Sequence, residues 1–262
     1  MDKKIYFVSD FHFGIPTRDS SLQREKLFVS WLDEVKKDAS AIYLMGDIFD
    51  FWFEYKTVVP KGFVRLLGKL AEITDAGIPV HLFRGNHDVW AFKYLQKEVG
   101  IQLHREPEIH DFNGKIFYLA HGDGLGPGDN GYKFLKKVFE LKLNQWLFRW
   151  IHPEWGTRLG LYFSRRSRIA NIIKEGKKEN TNGFENEMLY HYAKGISQNN
   201  PTIDYFIFGH RHLPVIKPLN EKTQIVVLGD WITNFTFAVF DGREVSLQFY
   251  TNFSTSSTKR DE

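Results

Sequence analysis

The chain has no cysteine among its 262 residues. That excludes disulfides, thiolate metal ligands and a cysteine nucleophile, and it fits a reducing compartment. No run approaches the ~20 uninterrupted apolar residues that a membrane-spanning helix needs. The opening MDKKIYFVSD lacks the apolar stretch of a secretory signal and leads directly into a strand-like segment. A cytoplasmic location is therefore expected. Strong net charge is also missing: the balance is +3, too weak to imply nucleic acid, and no nucleic-acid partner is expected. There is no internal repeat. What remains is 42% apolar, 26% charged and rich in aromatics at 16%. That composition is ordinary for a folded protein, and the length suits one domain, or one domain carrying an insertion.

Short apolar segments dominate both ends of the chain. KIYFVSD (Lys4–Asp10) and AIYLMGD (Ala41–Asp47) read as buried strands with polar ends, and PVHLFRGNHD (Pro79–Asp88) as a third. Between them, Phe28, Trp31, Leu32 and Val35 fall at helical spacing, and Phe63 to Ile73 reads as a second helix. This β-α-β-α-β rhythm predicts a parallel sheet covered by helices. Asn113-Gly114 lies between two apolar runs and predicts a hairpin. From about Asp129 to Asn200 the pattern is helical, and four strand-like runs follow: DYFIFGH, QIVVLGD, FTFAVF and EVSLQFY.

Five strands end in polar clusters: Ser9-Asp10-Phe11-His12, Gly46-Asp47-Ile48-Phe49-Asp50, Gly85-Asn86-His87-Asp88, His121-Gly122-Asp123 and Gly209-His210-Arg211-His212. Ligands of open α/β sheets bind beyond the carboxyl ends of the strands, so these loops are placed to converge. Half of the ten histidines lie inside them. Carboxylate, imidazole and amide donors without thiolate suit Mn²⁺, Fe²⁺ or Zn²⁺. Seven such donors exceed what one ion coordinates. Two ions sharing a carboxylate would use them, and such a pair clamps a phosphoryl group and acidifies a water. Singly, each motif is commonplace; an Asp-x-His arises by chance, and a lone histidine is more often packed or solvated. Their ordered succession is much harder to obtain by chance. Gly46, Gly85 and Gly209 read as glycines of tight turns and close packing. Asp50 reads equally well as a carboxylate orienting a ligand histidine or as a turn cap, and Asp230-Trp231 as a turn followed by a packed aromatic.

In this order the motifs resemble the calcineurin-like metallophosphoesterases, across nearly the whole chain. The resemblance implies an α/β fold, a four-layer α/β/β/α sandwich with a two-metal site. By the same resemblance one ion would be held by Asp10, His12, Asp47 and His212, and the other by Asp47, Asn86, His121 and His210, with Asp47 bridging. Mn²⁺ is the metal expected for both. His87, oriented by Asp88, would stabilise the transition state or protonate the leaving oxygen.

Lys133 to Lys174 carries ten Lys or Arg against two Glu, interleaved with aromatics such as Phe134, Trp146, Trp150 and Trp155. Such a segment is either an ordinary helix pair with a solvated basic face or a basic, greasy cap suited to an anionic amphiphile at a membrane. A nucleic-acid groove would share the charge. HGDGLGPGDNGYKF and SRRSRIANIIK are similar to segments of the UDP-2,3-diacylglucosamine hydrolases of lipid A biosynthesis. That likeness implies cleavage of the lipid's pyrophosphate to UMP and 2,3-diacylglucosamine 1-phosphate. It adds Asp129, Ser167, Asn171 and Lys174 to Asn86, His87 and His210 as substrate-binding positions. Ser167, Asn171 and Lys174 would share one helical face. Many members of that family carry arginine where His87 stands here. The expected organisation is a phosphoesterase core over 1–128 and 201–253, a helical cap over 129–200 and a disordered tail over 254–262. The expected partners are the UDP-linked lipid and, through the cap, the inner face of the cytoplasmic membrane. A phosphodiesterase or nuclease acting on another ester is the alternative.

Overall fold

A computed structural model describes residues 3–15, 17–126, 130–176 and 183–251; the side chains of residues 18 and 168–176 fall outside the description. Expectations placed on Asp129, on the tail 254–262 and on the side chains of Asn171 and Lys174 therefore lie outside the described residues. In chain order the first half runs β1 (Lys4–Val8), α1 (Arg18–Val35), β2 (Ala39–Leu44), α2 (Val64–Asp75), β3 (Val80–Phe83), α3 (Tyr94–Glu98), β4 (Gln102–His104), β5 (Glu108–Phe112) and β6 (Lys115–Leu119). The second half runs α4 (Asn130–Glu140), α5 (Lys142–Arg149), α6 (Pro153–Gly176), α7 (Met188–Asn199), β7 (Tyr205–Phe208), β8 (Pro214–Pro218), β9 (Gln224–Leu228), β10 (Thr236–Phe240) and β11 (Val245–Phe249).

Two sheets stack face to face. One has the order β11-β10-β1-β2-β3-β4, the other β5-β6-β7-β9-β8. Side chains alternate across each strand, and the alternation sorts them into layers. Phe7, Tyr43 and Phe83 meet Phe117, Leu119, Tyr205, Ile207, Val226 and Leu228 between the sheets. The opposite side chains of β1 and β2, Tyr6, Val8, Ile42 and Leu44, pack under α1 and α2 through Phe28, Trp31, Leu32, Leu66, Leu70 and Ile73. On the far side, Tyr118, Phe206 and Phe208 pack against Leu189, Tyr190 and Ala193 of α7. The result is the expected α/β/β/α sandwich.

Local chemistry sets the element ends. Thr17 caps α1 in a reciprocal box with Ser20. The β5–β6 hairpin turns through Asn113 and Gly114, both with positive φ, as its Asn-Gly pair requires. Two strands were not expected, β4 and β8, and each lies at a sheet edge.

Of the stretch 129–200, α7 belongs to the outer layer, whereas α4 to α6 stand over the loops after β2 and β3. They are seated there by an aromatic cluster. Phe53, Val89 and Trp90 pack with Phe51, Tyr55, Phe92, Phe139 and Phe148, and the Trp90 indole N–H donates to the Phe139 carbonyl at 2.8 Å. Gly160 of α6 lies so close to the Phe51 ring that a methyl group there would overlap it. The outward residues are different: Phe134, Leu143, Trp146, Trp150, Trp155 and Phe163 are all more than half exposed. The apolar face is not buried against the body. Among the described residues, no helix is long and apolar enough to cross a membrane.

Candidate metal centre

β1, β2 and β3 are mutually parallel, as are β6 and β7, so their carboxyl ends deliver five loops to one edge of the sandwich. The loops are stitched together. Phe11 and His12 N–H both donate to the Asp47 carbonyl at 3.0 and 2.9 Å, Asp10 N–H to Gly46 at 3.1 Å, and Gly209 N–H to His121 at 2.9 Å. The buried Arg24 guanidinium braces the first loop from α1, donating to the Phe11 carbonyl at 2.7 Å.

Within this frame Asp10, His12, Asp47, His210 and His212 all have positive φ, between 45° and 68°. Left-handed backbone at a non-glycine residue costs on the order of 1 kcal/mol and persists only where surrounding bonds enforce it. Five instances in one cluster point to a functional constraint.

The strain turns the donors toward one another in two groups, Asp10–His12–His212 and Asp47–His121–His210, linked by a third, His12–Asp47–His87, each with its ligating atoms within 4.8 Å of one another. In the first, His212 Nε2 lies 3.4 Å from Asp10 Oδ1 and 3.3 Å from His12 Nε2. Asp47 Oδ2 lies 3.4 Å from His121 Nε2 in the second group and 3.7 Å from His12 Nε2 in the first. It therefore sits between them. Two of the converging atoms, Asp10 Oδ1 and His121 Nε2, are buried without a hydrogen-bond partner, and so is Asn86 Oδ1 in the loop after β3. Orphaned buried acceptors of this kind are rare and call for a cation.

The outer atoms of the same side chains are anchored. Asp10 Oδ2 accepts from Ser9 Oγ at 2.6 Å and from His210 N–H at 2.8 Å. Asp47 Oδ1 accepts from His87 N–H at 2.9 Å. His121 Nδ1 donates to the Met45 carbonyl at 2.7 Å, which leaves Nε2 facing inward toward Asp47. His12 Nδ1 lies 3.6 Å from Asp50 Oδ1, and His212 Nδ1 lies 3.7 Å from Asp230 Oδ2. An imidazole whose far nitrogen faces a carbonyl or carboxylate is the usual arrangement of a metal-bound histidine. The residues present fit a pair of divalent ions.

The electrostatics agree. Burial pushes the Asp47 carboxyl up, but His121 and His87 outweigh it and hold the group well below the usual range. Burial likewise opposes charge on Asp10, and His212 and His12 overcome it. His121 is the counterpart: burial disfavours its charge, yet Asp47 raises its pKa well above the ordinary value. Burial next to His121 lowers His210 to about 4. The anionic Asp47 carboxylate, lying between the two groups, draws positive charge into the pocket.

His87 stands beside these groups, its ring centroid 4.7 Å from that of His12. Its Nδ1 faces the Asp50 carbonyl at 2.9 Å and so carries the proton, and the buried Ser164 hydroxyl of α6 lies 3.1 Å from the same atom. Asp88 does not orient it. The Asp88 oxygens accept from Gly85 N–H at 2.6 Å and Ile48 N–H at 2.9 Å, pinning the β2 and β3 loops together. Burial raises the Asp88 carboxyl to about 7. Ser167 is exposed on α6, one turn beyond Ser164. Asp123 accepts from the Lys136 ammonium at 2.9 Å and from the Tyr132 hydroxyl, tying α4 to the loop after β6. A cavity of about 190 Å³ opens beside His121, lined in part by Arg84, Arg105 and Lys136. Ser164, and Asp230 as the partner of His212, are the site residues that sequence reasoning did not find.

A family model described as calcineurin-like phosphoesterase matches residues 3–214. The chain is 40% identical to a UDP-2,3-diacylglucosamine hydrolase of Porphyromonas gingivalis over 95% of this chain and 98% of that protein. It is 28% identical to one of Vibrio atlanticus over 94% and 96%. It is 26% identical to one of Pseudomonas fluorescens over 87% of each chain.

Proposed function

This chain belongs to the calcineurin-like phosphoesterase family, and we propose that it hydrolyses the pyrophosphate bond of UDP-2,3-diacylglucosamine, releasing UMP and 2,3-diacylglucosamine 1-phosphate. The alignment with the Porphyromonas protein over nearly the full length of both chains carries the choice of substrate. The convergence of seven donors at one sandwich edge supports the chemistry. Asp10, His12, Asp47 and His212 would hold one divalent ion, and Asp47, Asn86, His121 and His210 the other, with Mn²⁺ as the metal. Bound there, such ions acidify water and neutralise phosphate charge.

The chain's own groups do the rest. Asp47 sets the spacing of the two halves. His87, with its proton fixed on Nδ1 by the Asp50 carbonyl, keeps Nε2 free to take up a proton. Burial lowers its pKa, and an arriving pyrophosphate raises it again, so the imidazole becomes a donor to a phosphoryl or leaving oxygen once substrate is bound. The cavity lined by Arg84, Arg105 and Lys136 offers positive charge for the remainder of an anionic headgroup.

The exposed apolar residues of α4 to α6 and their basic neighbours suit acyl chains and an anionic bilayer surface. This supports a peripheral position at the inner face of the cytoplasmic membrane. On the cap, Asp129, Ser167, Asn171 and Lys174 are proposed to contact substrate, with Ser164 joining the cap to His87. Purified protein reloaded with Mn²⁺ should release UMP from the lipid, and Asp47→Ala should abolish release. Metal-loaded protein that leaves this lipid intact while cleaving simple diesters or single-stranded DNA would overturn the assignment in favour of a general phosphodiesterase or nuclease.

A further inference from the structure

A second group of metal donors lies outside this centre. The chain leaves the edge strand of one sheet at His104 and enters the edge strand of the other at Glu108, so the short connection brings β4 and β5 side by side. His104, Glu108 and His110 each offer a ligating atom, all within 4.8 Å of one another. Glu108 is the hub: one oxygen lies 2.7 Å from His104 Nδ1, the other 3.1 Å from His110 Nε2.

The spacing suits a small divalent ion. With zinc–ligand bonds of about 2.0–2.1 Å, adjacent tetrahedral ligands lie roughly 3.3 Å apart, and the two Glu108 separations, 2.7 and 3.1 Å, lie close to that. The outer partner is also present. His104 Nε2 faces His81 Nδ1 at 2.9 Å, and the His81 ring stacks on Tyr43 with centroids 4.2 Å apart. The His81 Nδ1 lone pair can accept the His104 Nε2–H across that contact. That tautomer turns the Nδ1 lone pair of His104 toward a carboxylate, a contact that a metal ion, or a second ring proton, would have to bridge. The opposite tautomer yields a neutral relay, in which His81 donates to His104 and His104 to Glu108, with no ion. His104 and His110 are part-buried and the Glu108 side chain is 41% exposed, so an ion has access.

We propose that His104, Glu108 and His110 form a second divalent-metal site of the His-Glu-His type, suited to Zn²⁺, that clips the edges of the two sheets together with His81 orienting His104. This is independent of the catalytic reading. Chelator-treated protein would be dialysed against Zn²⁺ and bound metal counted by plasma mass spectrometry, with wild type beside His110→Gln and Glu108→Gln. The expected result is one equivalent more in wild type than in either variant. A Zn²⁺-induced rise in melting temperature should likewise be larger in wild type. The metal retained by the first centre reports that the variants are folded. Equal stoichiometry in all three proteins would overturn the proposal and leave the neutral hydrogen-bonded relay.

Discussion

A single methyl group added at Gly85 should disable the centre. Gly85 lies in the loop just after β3 without a left-handed backbone, so its lack of a side chain is a matter of space. A Cβ there would overlap Asp47 Oδ1 and lie 2.6 Å from the Asp47 backbone nitrogen, where ordinary contact begins at 3.4 Å. Neither neighbour can retreat easily. The Asp47 carbonyl is held by Phe11 and His12 N–H, and Asp88 ties Gly85 to Ile48. Overpacking of this kind costs about 1–3 kcal/mol. For a chain of this length that is a melting temperature lower by roughly 2–12 °C. The displaced carboxylate is the one between the two donor groups, and misplacing a catalytic group by about 1 Å costs on the order of a hundredfold in rate. Gly68 is the control. It lies exposed in α2 with nothing within 4 Å of its Cβ, so Gly68→Ala should gain roughly 0.5–1 kcal/mol and leave the rate unchanged. Thermal melts of metal-free protein, metal content after reloading and UMP release would be compared for both variants. Wild-type metal content and rate in Gly85→Ala would refute the reasoning.

The two histidines of the last motif should separate the two ions: His212→Ala and His210→Ala are each expected to retain one of two Mn²⁺ equivalents and to lose at least a hundredfold in rate. Full metal content in either variant would contradict the split. Burial and His104 lower the His81 pKa from 6.5 to about 4, so between those values the unfolded chain binds more protons and stability falls as pH drops. His81→Phe keeps a ring on Tyr43 but removes the titration. Its metal-free urea stability should fall less steeply from pH 6.5 to 4, by up to about 3 kcal/mol, and an unchanged slope would refute this. Trp150 and Trp155 are 76% and 65% exposed, and replacing both with serine should weaken sedimentation with anionic vesicles by roughly tenfold or more. Equal partitioning would remove the cap from the membrane argument.

Much of this site was legible because its donors follow buried strands directly. Asp10, Asp47, Asn86, His121 and His210 each come within three residues of an apolar run, and parallel pairing brings such ends together without further information. Continuous apolar runs such as YFIF of β7 mark strands covered on both faces, whereas the four-layer stacking was implied by the family resemblance. What escaped depends on contacts across the fold. β4 spans only three residues, and β8 begins and ends in proline, which an edge strand tolerates because one side of its backbone needs no partner. Asp230 reads as a turn residue and is one, accepting from Ile232 and Thr233 N–H; only the closed sandwich also places it near His212. Asp88 follows His87 in sequence, yet its carboxylate points to the backbone of two loops, since neighbours in a tight loop need not face each other. Ser164 carries no local signal at all: it is a buried serine in a helix whose neighbouring residues Phe163 and Arg165 are exposed.

The central claim is hydrolysis at the phosphorus nearest the uridine by a two-metal centre. Mn²⁺-loaded protein would be given UDP-2,3-diacylglucosamine in ¹⁸O-water and both products weighed by mass spectrometry. The account predicts one ¹⁸O in UMP and none in the 2,3-diacylglucosamine 1-phosphate. Label in the lipid phosphate, or intact substrate in the presence of protein holding two Mn²⁺, would contradict it.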